Sequence, residues 1–394
     1  MRVMRILQDL FSTCRAHIDL RLLHTLFSSI EALTRCRKLS IAGIGRSLNR
    51  GCTVKNKIKA IDRLFGHAKV QSNTPLFYQS IIDKIIFPRS QPIIIIDWSG
   101  LTRCGKYHFI RAAVPVTGRA LPILEMSFEQ KDCGSQKAHR KFLFQLKNML
   151  PKDCQPIIVT DAGFRIPWFR MVLELKWHYI GRVRHIIQCQ SRKDSLWVPV
   201  KSLYTEAKHI PRYLGEYLLT KLQRFGTYFY LYQEQKKNRV RINLKGKKIR
   251  CSVSLKCAKR EAEPWLLATS LNPELFAAQR IIGLYKKRMQ IEESFRDLKN
   301  ERLGLSLRQN RSANIGRLSV ALLIGAMTMF LLWILGAVTK NKNLHYQYQA
   351  NTTRHRDVLS NFIIGWQVLE ENRLEFSKIE VNQAIINIGE MLCA

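Results

Sequence analysis

Acidic residues are scarce in this chain. It carries 29 Asp+Glu against 65 Lys+Arg in 394 residues, a formal net charge of +36. That imbalance argues against an ordinary small-molecule enzyme and for a polyanionic partner, with DNA or RNA first and an anionic membrane surface second. A Cys-x-x-Cys pair is also missing. The ten cysteines are scattered from Cys14 to Cys393, and the nearest two, Cys251 and Cys257, have no histidine close by. This spacing speaks against a structural zinc site and for reduced cytosolic thiols. No unbroken apolar run opens the chain, because Gln8, Asp9 and Arg15 interrupt it, so this segment does not read as a secretory signal. Apolar residues themselves are plentiful: a hydrophobic content of 46% can build cores and argues against a disordered basic tail protein. At roughly 150 residues per domain, the length suggests about two to three domains.

Residues 1–85 read as helical and basic, with 16 Lys+Arg and 5 Asp+Glu over 1–90. Ser40 is placed to cap a short helix, and a turn at 49–53 leads into VKNKIKAIDRLF. There Val54, Ile58, Ile61 and Leu64 keep helical spacing, with Lys55, Lys57, Lys59 and Arg63 on other faces. Two helices across a glycine-containing turn suit a helix-turn-helix, though many helical hairpins share the pattern. Buried-strand runs follow at 92–97 and 156–160, with further strands near 107–115, 119–128 and 177–183 and helices at 135–149 and 166–175. Such interleaving predicts a mixed α/β sheet. Residues 185–265 look β-rich. Between Gln235 and Arg260 lie 11 Lys+Arg and no acid. Their alternation with Val240, Ile242, Leu244, Ile249, Val253 and Leu255 predicts a β-ribbon with one charged face, suited to a phosphate backbone through Lys236, Lys237, Arg239, Arg241, Lys245, Lys247, Lys248 and Arg250. A long helix is expected from near Pro273 to about Asn300. The run Leu318–Val338 has no charge, so by itself it suits either a bilayer span or a helix buried on all sides.

Asp97 and Asp161 each close an Ile/Val-rich strand run, where active sites form at sheet edges. Two carboxylates placed together need a cation between them, and a pair of divalent metals with a third acid is the natural solution. The 274–300 helix can supply that acid. At about 100° per residue, and with Tyr285 at zero, Arg288, Glu292 and Lys299 fall within about 60° of one another. An amphipathic helix with ordinary i,i+4 salt bridges would look the same.

Asp97-Trp98-Ser99, Thr160-Asp161-Ala162-Gly163-Phe164 and the Tyr285-x2-Arg288-x3-Glu292-x6-Lys299 signature resemble the DDE transposases of the bacterial insertion-sequence-4 family. The run YKKRMQIEESFRDLK is similar to the transposon-ten-like branch. The resemblance implies an α/β RNase-H-like catalytic core with a β-rich insertion and an N-terminal helical DNA-binding domain. The corresponding division is a DNA-binding domain at 1–85, core segments at 86–184 and 266–340, the insertion at 185–265 and a helical C-terminal region at 341–394. It makes 318–338 a core helix behind the sheet, with Gly325, Thr328 and Gly336 allowing close packing. It implies that Asp97, Asp161 and Glu292 hold two Mg2+ ions, with Mn2+ as a substitute. Tyr285, Arg288 and Lys299 would bind DNA phosphates, although Tyr285 could equally be a packing residue. Trp265 would stack on a flipped base and Met289 would wedge into the vacated space. The implied partners are double-stranded DNA and a second copy of the chain in a synaptic homodimer, in the bacterial cytoplasm and away from any membrane. Three other readings compete: a catalytically silent repressor derived from a transposase, a related two-metal nuclease, and a membrane protein with a basic cytosolic domain.

Overall fold

The structure, a computed structural model, describes residues 3–184, 186–235, 263–350, 352–353, 356–371 and 375–392. The expected basic ribbon, with all eight of its candidate phosphate contacts from Lys236 to Arg250, lies outside the described residues. In chain order, six helices come first: α1 (Val3–Leu10), α2 (Leu20–Cys36), α3 (Ile41–Ser47), α4 (Val54–Gly66), α5 (Ala68–Ser72) and α6 (Thr74–Ile85). Strands β1 (Ile93–Gly100), β2 (Tyr107–Val116) and β3 (Arg119–Glu129) precede α7 (Gln136–Met149), β4 (Ile157–Thr160), α8 (Ile166–Glu174) and β5 (His178–Val183). Then come β6 (Gln188–Ser191), β7 (Val198–Pro199), β8 (Arg212–Leu219), β9 (Phe225–Tyr232) and β10 (Trp265–Thr269). The last helices are α9 (Ala278–Lys286), α10 (Met289–Lys299), α11 (Ile315–Asn341), α12 (Asn361–Glu371) and α13 (Lys378–Leu392). The described chain divides into two compact units, Met1–Pro156 with Arg288–Ala394, and Ile157–Lys287.

In the first unit, side-chain caps start the N-terminal helices where the sequence supplies Asp, Ser or Thr. Asp19 accepts the N–H groups of Arg21 and Leu22 at the head of α2, Ser40 accepts Gly43 N–H for α3, and Thr53 accepts Asn56 N–H for α4. Each satisfies donors that a helix start leaves open. Helices α3 and α4 meet at Gly45, where a Cβ would lie 2.7 Å from Ile58 Cα; only glycine lets the two backbones approach this closely. Ile61, Leu64 and Phe65 of α4 are buried, whereas Lys55, Lys59 and Arg63 stay exposed and Lys57 is half-buried.

The sheet of this unit runs in the order β3-β2-β1, and both pairings are antiparallel. Helix α11 lies against β3, α2, α4 and α12. Its length and hydropathy would allow a bilayer crossing, yet 94% of its most apolar window is buried inside the unit. It is therefore a core helix, as the resemblance implied. Close packing comes from two of its glycines. A Cβ at Gly336 would lie 1.9 Å from Asn361 O of α12, and one at Gly325 would lie 2.7 Å from Leu298 Cδ1 of α10.

In the second unit β4 pairs parallel with β5, and the order continues β5-β10-β9-β8-β6-β7 with antiparallel pairing. Strands β6 and β8 escaped the sequence reading. Polar residues break up both: QCQS has them at half-buried positions, and RYLGEYLL has Arg212, Tyr213 and Glu216 exposed, so neither shows the apolar run that marks a buried strand.

One expectation needs correcting. The single helix from Pro273 to Asn300 is two helices, separated by a turn at Lys287–Arg288. Lys287 N–H bonds to Leu284 O and Ile291 N–H to Arg288 O, the tighter i→i+3 pattern. No glycine or proline forces the turn. It falls where the chain passes from one compact unit to the other. The angular count that placed Tyr285 on one face with Arg288, Glu292 and Lys299 assumed an unbroken helix. It holds for Glu292 and Lys299, which share α10, with Arg288 at its N-cap.

Candidate active site

Asp97 follows four fully buried isoleucines, Ile93–Ile96, in β1. It does not end the strand as expected. Pairing with β2 carries β1 on through Asp97↔Arg111 to Gly100↔His108, because the partner strand goes on offering hydrogen bonds beyond the carboxylate. Asp97 Oδ1 accepts the N–H of Trp98 at 2.8 Å. Its other oxygen lies 3.5 Å from Arg288 Nη1, while Arg288 Nη2 donates to Glu292 Oε1 at 2.6 Å. One guanidinium thus lies between two carboxylates of the signature, with the side chains of Asp97 and Arg288 only 16% and 12% exposed and that of Glu292 46% exposed.

The neighbours of Asp97 are held by specific bonds. Trp98 Nε1 donates to His139 Nε2 at 3.0 Å, and the indole meets Phe128 edge-on. Burial pushes His139 down to about 4, so near neutral pH the ring is uncharged and its Nε2 lone pair is available to the indole. Lys299 Nζ donates to Ser99 Oγ at 2.6 Å and lies 5.4 and 5.5 Å from the ring centroids of Phe109 and Phe295. Burial first, then the positive charges of Arg111 and Arg308, lower the Lys299 ammonium to about 8. Met289 is half-exposed, and its sulfur lies 3.4 Å from Arg288 Nη2.

In the second unit Asp161 follows directly on β4. Its Oδ1 accepts Gly163 N–H at 2.8 Å, and a Cβ at Gly163 would press to 3.0 Å from that same oxygen. Asp161 lines a cavity of about 440 Å³ with Gly163, Arg165, Arg184, Lys201 and Glu263. Arg184 and Arg182 both pair with Glu263. Trp265 in β10 is buried edge-on between Tyr232 and Tyr285, with centroids 5.7 and 5.2 Å away. Tyr285 is itself buried, so it has a packing role in this structure.

The first unit therefore brings together Asp97, Glu292, Arg288 and Lys299, and the second holds Asp161, Trp265 and Tyr285. Within either unit, among the described residues, no three His, Cys, Asp or Glu side chains form a group that could hold a metal ion. What the first unit does present is a pair of hard carboxylate oxygen donors already sharing one cation, the guanidinium of Arg288. That donor set fits Mg2+ chemistry.

The transposase DDE domain family matches residues 88–331, a span that includes every one of these residues. The chain belongs to the DDE transposase family. Among curated proteins, none matches it. The mixed α/β architecture is that of an RNase-H-like transposase core. Transposases act on DNA, and the family generally uses divalent metal ions.

Sequence reasoning missed several residues that structure this site. Arg111 stands in the otherwise apolar strand YHFIRAAVPV and Glu125 in RALPILEMSFE. A lone charge inside a buried strand is the signal that could have flagged each. His139, on α7, carried no such signal.

Proposed function

We infer that this transposase is a cut-and-paste enzyme of the insertion-sequence-4 family, transposon-ten-like branch, which binds transposon ends as a synaptic homodimer. The observation that carries the reading is the Asp97–Arg288–Glu292 arrangement, with Lys299 beside Ser99 on the same helix as Glu292. It joins two of the three signature acids to two of the three signature phosphate contacts. In this reading Asp97, Asp161 and Glu292 hold two Mg2+ ions, for which Mn2+ substitutes. When bound, the ions would lower the pKa of the attacking water or 3′-OH and stabilise the leaving oxygen.

Four steps make up the route. Water nicks one strand at the transposon end, the freed 3′-OH attacks the opposite strand to form a hairpin, a second water opens the hairpin, and the 3′-OH joins target DNA. Arg288 lies between Asp97 and Glu292 in the free protein; on engagement of DNA it transfers its donors to a phosphate, to which guanidinium geometry is suited. Lys299 contributes a single positive charge to the same strand, and Tyr285 a hydroxyl. Trp265 exchanges its edge contacts with Tyr232 and Tyr285 for a stacked contact with a flipped base, and Met289 fills the vacated space. Residues 1–85, through Lys55, Lys57, Lys59 and Arg63, and the insertion at 185–265 each grip the duplex, and the core segments at 86–184 and 266–340 carry the chemistry. The helical region at 341–394 completes the division, and the cytoplasm is the place of action.

The test uses DNA carrying the inverted repeats that flank the coding sequence. Asp97→Ala, Asp161→Ala and Glu292→Ala should each keep end binding and lose Mg2+-dependent nicking by at least about 100-fold, the scale set by losing a major transition-state contact. Retained nicking in any one of them overturns the assignment. A wild-type protein that binds ends without nicking would be a repressor, and one that nicks without hairpin or joined product would be a plain nuclease.

A further inference from the structure

Beneath the Asp97–Arg288–Glu292 cluster lies a second guanidinium that this mechanism does not use. Arg111 is wholly buried, and so is the side chain of Glu125, its ion-pair partner. Arg111 Nε and Nη2 both donate to Glu125 Oε1, at 2.9 and 2.7 Å. The other carboxylate oxygen, Oε2, is taken by the hydroxyl of Tyr78 on α6, at 2.8 Å. That leaves Nη1, which donates to Ser294 Oγ on α10 at 2.6 Å. The guanidinium carbon also lies 4.8 Å from the ring centroid of Phe295 and 5.5 Å from that of Phe109.

Stability does not call for such an arrangement. A buried ion pair replaced by apolar side chains of the same volume is often as stable or more so. Directional bonds do what an apolar core does not: they fix position and rotation. Asp97, Arg111 and Glu125 are direct cross-strand partners in β1, β2 and β3, so their side chains share one face of the sheet. Ser294 lies two residues beyond Glu292, about 200° further round the helix. It is fully buried, whereas the Glu292 side chain is half-exposed. Apolar contacts through Ile291, Phe295 and Leu298 hold α10 against the sheet. Toward its C-terminal end Arg119 Nε donates to Asp297 Oδ2 and Lys299 Nζ to Ser99 Oγ, each at 2.6 Å, whereas the Arg111–Ser294 bond lies within two residues of Glu292. A carboxylate about 6 Å from the helix axis moves about 2 Å for a 20° roll. A misplacement of about 1 Å can cost roughly 100-fold in rate.

We propose that Arg111 is a positioning residue: anchored by Glu125 and Tyr78, it locks the roll of α10 through Ser294 and so sets Glu292 opposite Asp97. This rests on the reading of Glu292 as a catalytic acid. The arrangement ties the sheet, the Glu292 helix and, through Tyr78, the N-terminal helices into one bonded unit.

Ser294→Ala and Arg111→Lys in the full-length protein test it. Ser294→Ala removes one bond and little volume. Arg111→Lys keeps the charge beside Glu125, but one ammonium cannot span to Ser294 as well. Four readouts are taken: melting temperature, affinity for end DNA, nicking rate against Mn2+ concentration, and direct Mn2+ binding by electron paramagnetic resonance. Both variants should stay folded and bind ends as the wild type does. Nicking should fall about 10- to 100-fold, the half-saturating Mn2+ concentration should rise several-fold, and added Mn2+ should restore part of the rate. A purely structural role would lower the melting temperature and leave the Mn2+ dependence of the folded fraction unchanged. If Glu292→Ala is inactive while Ser294→Ala nicks at the wild-type rate with wild-type Mn2+ affinity, the positioning role is overturned and the reading of Glu292 stands. If Glu292→Ala itself nicks normally, the reading beneath the proposal fails instead.

Discussion

Lys299 shows how a residue type can be legible while its state is not. The signature places a lysine seven residues after Glu292, but nothing in the sequence says that burial, with Arg111 and Arg308 nearby, lowers it to about 8. In the proposed phosphate contact Lys299 acts in its protonated form, so the affinity of the free protein for end DNA should weaken as pH rises through about 8. Lys299→Arg, whose charge does not titrate in this range, should flatten that dependence; an unchanged pH profile would remove Lys299 from the contact. His139 gives a matching prediction for stability. Its folded value of about 4 lies below the ordinary histidine value, so the unfolded chain binds the proton more tightly. The contribution is therefore fully present above about pH 6.5 and is lost as pH falls to about 4, by an amount on the order of 3 kcal/mol. His139→Phe should shallow the acid limb of a pH–melting curve, and an unaltered limb would refute the account.

Among the elements, α11 and α10 carry the most consequence. The charge-free run Leu318–Val338 suited a membrane span or a core helix equally by composition, and the packing of α11 within its unit makes it the latter. Gly336 and Gly365 are where α11 and α12 approach, with a Cβ at either reaching 1.9 Å from a backbone oxygen of the other helix. Gly336→Ala should therefore destabilise by about 1–3 kcal/mol, the cost of overpacking. Calorimetry showing an unchanged melting temperature would mean that the helices separate freely. Gly325 does something different. It admits Leu298 of α10, so the helix that carries Glu292 rests directly on the core helix. The turn at Lys287–Arg288 is the element-scale surprise: YKKRMQ has no helix breaker, and the interruption coincides with the point where the chain changes compact unit.

At the scale of the whole molecule, charge is the governing quantity. A net charge of +36 suits a polyanionic partner, and the carboxylates of Asp97 and Glu292 are both paired with Arg288 within that basic chain. DNA binding should then fall steeply with salt, since each neutralised phosphate contributes a slope of about −0.9 in log K against log salt. Replacing Lys55, Lys59 and Arg63, all exposed on α4, by alanine should reduce that slope by about 3 units if each meets a phosphate. An unaltered slope in equilibrium binding would place α4 away from the duplex.

The sequence by itself determined the alternation of buried strands and amphipathic helices, because side-chain period and capping residues are local properties. Ser40 and the Ile93–Ile96 run announced their elements without help. It also pointed to the chemical class, through the family resemblance carried by the Asp97 and Asp161 segments and the Tyr285–Lys299 signature, because such motifs are local strings of residues. Only tertiary structure decided that α11 is buried, that Arg288 lies between Asp97 and Glu292, and that Arg111 reaches Ser294 across 183 positions of chain. Those facts depend on which distant surfaces meet. Burial then sets the cost of a charge and the partner it must find, and neither is written in any single segment.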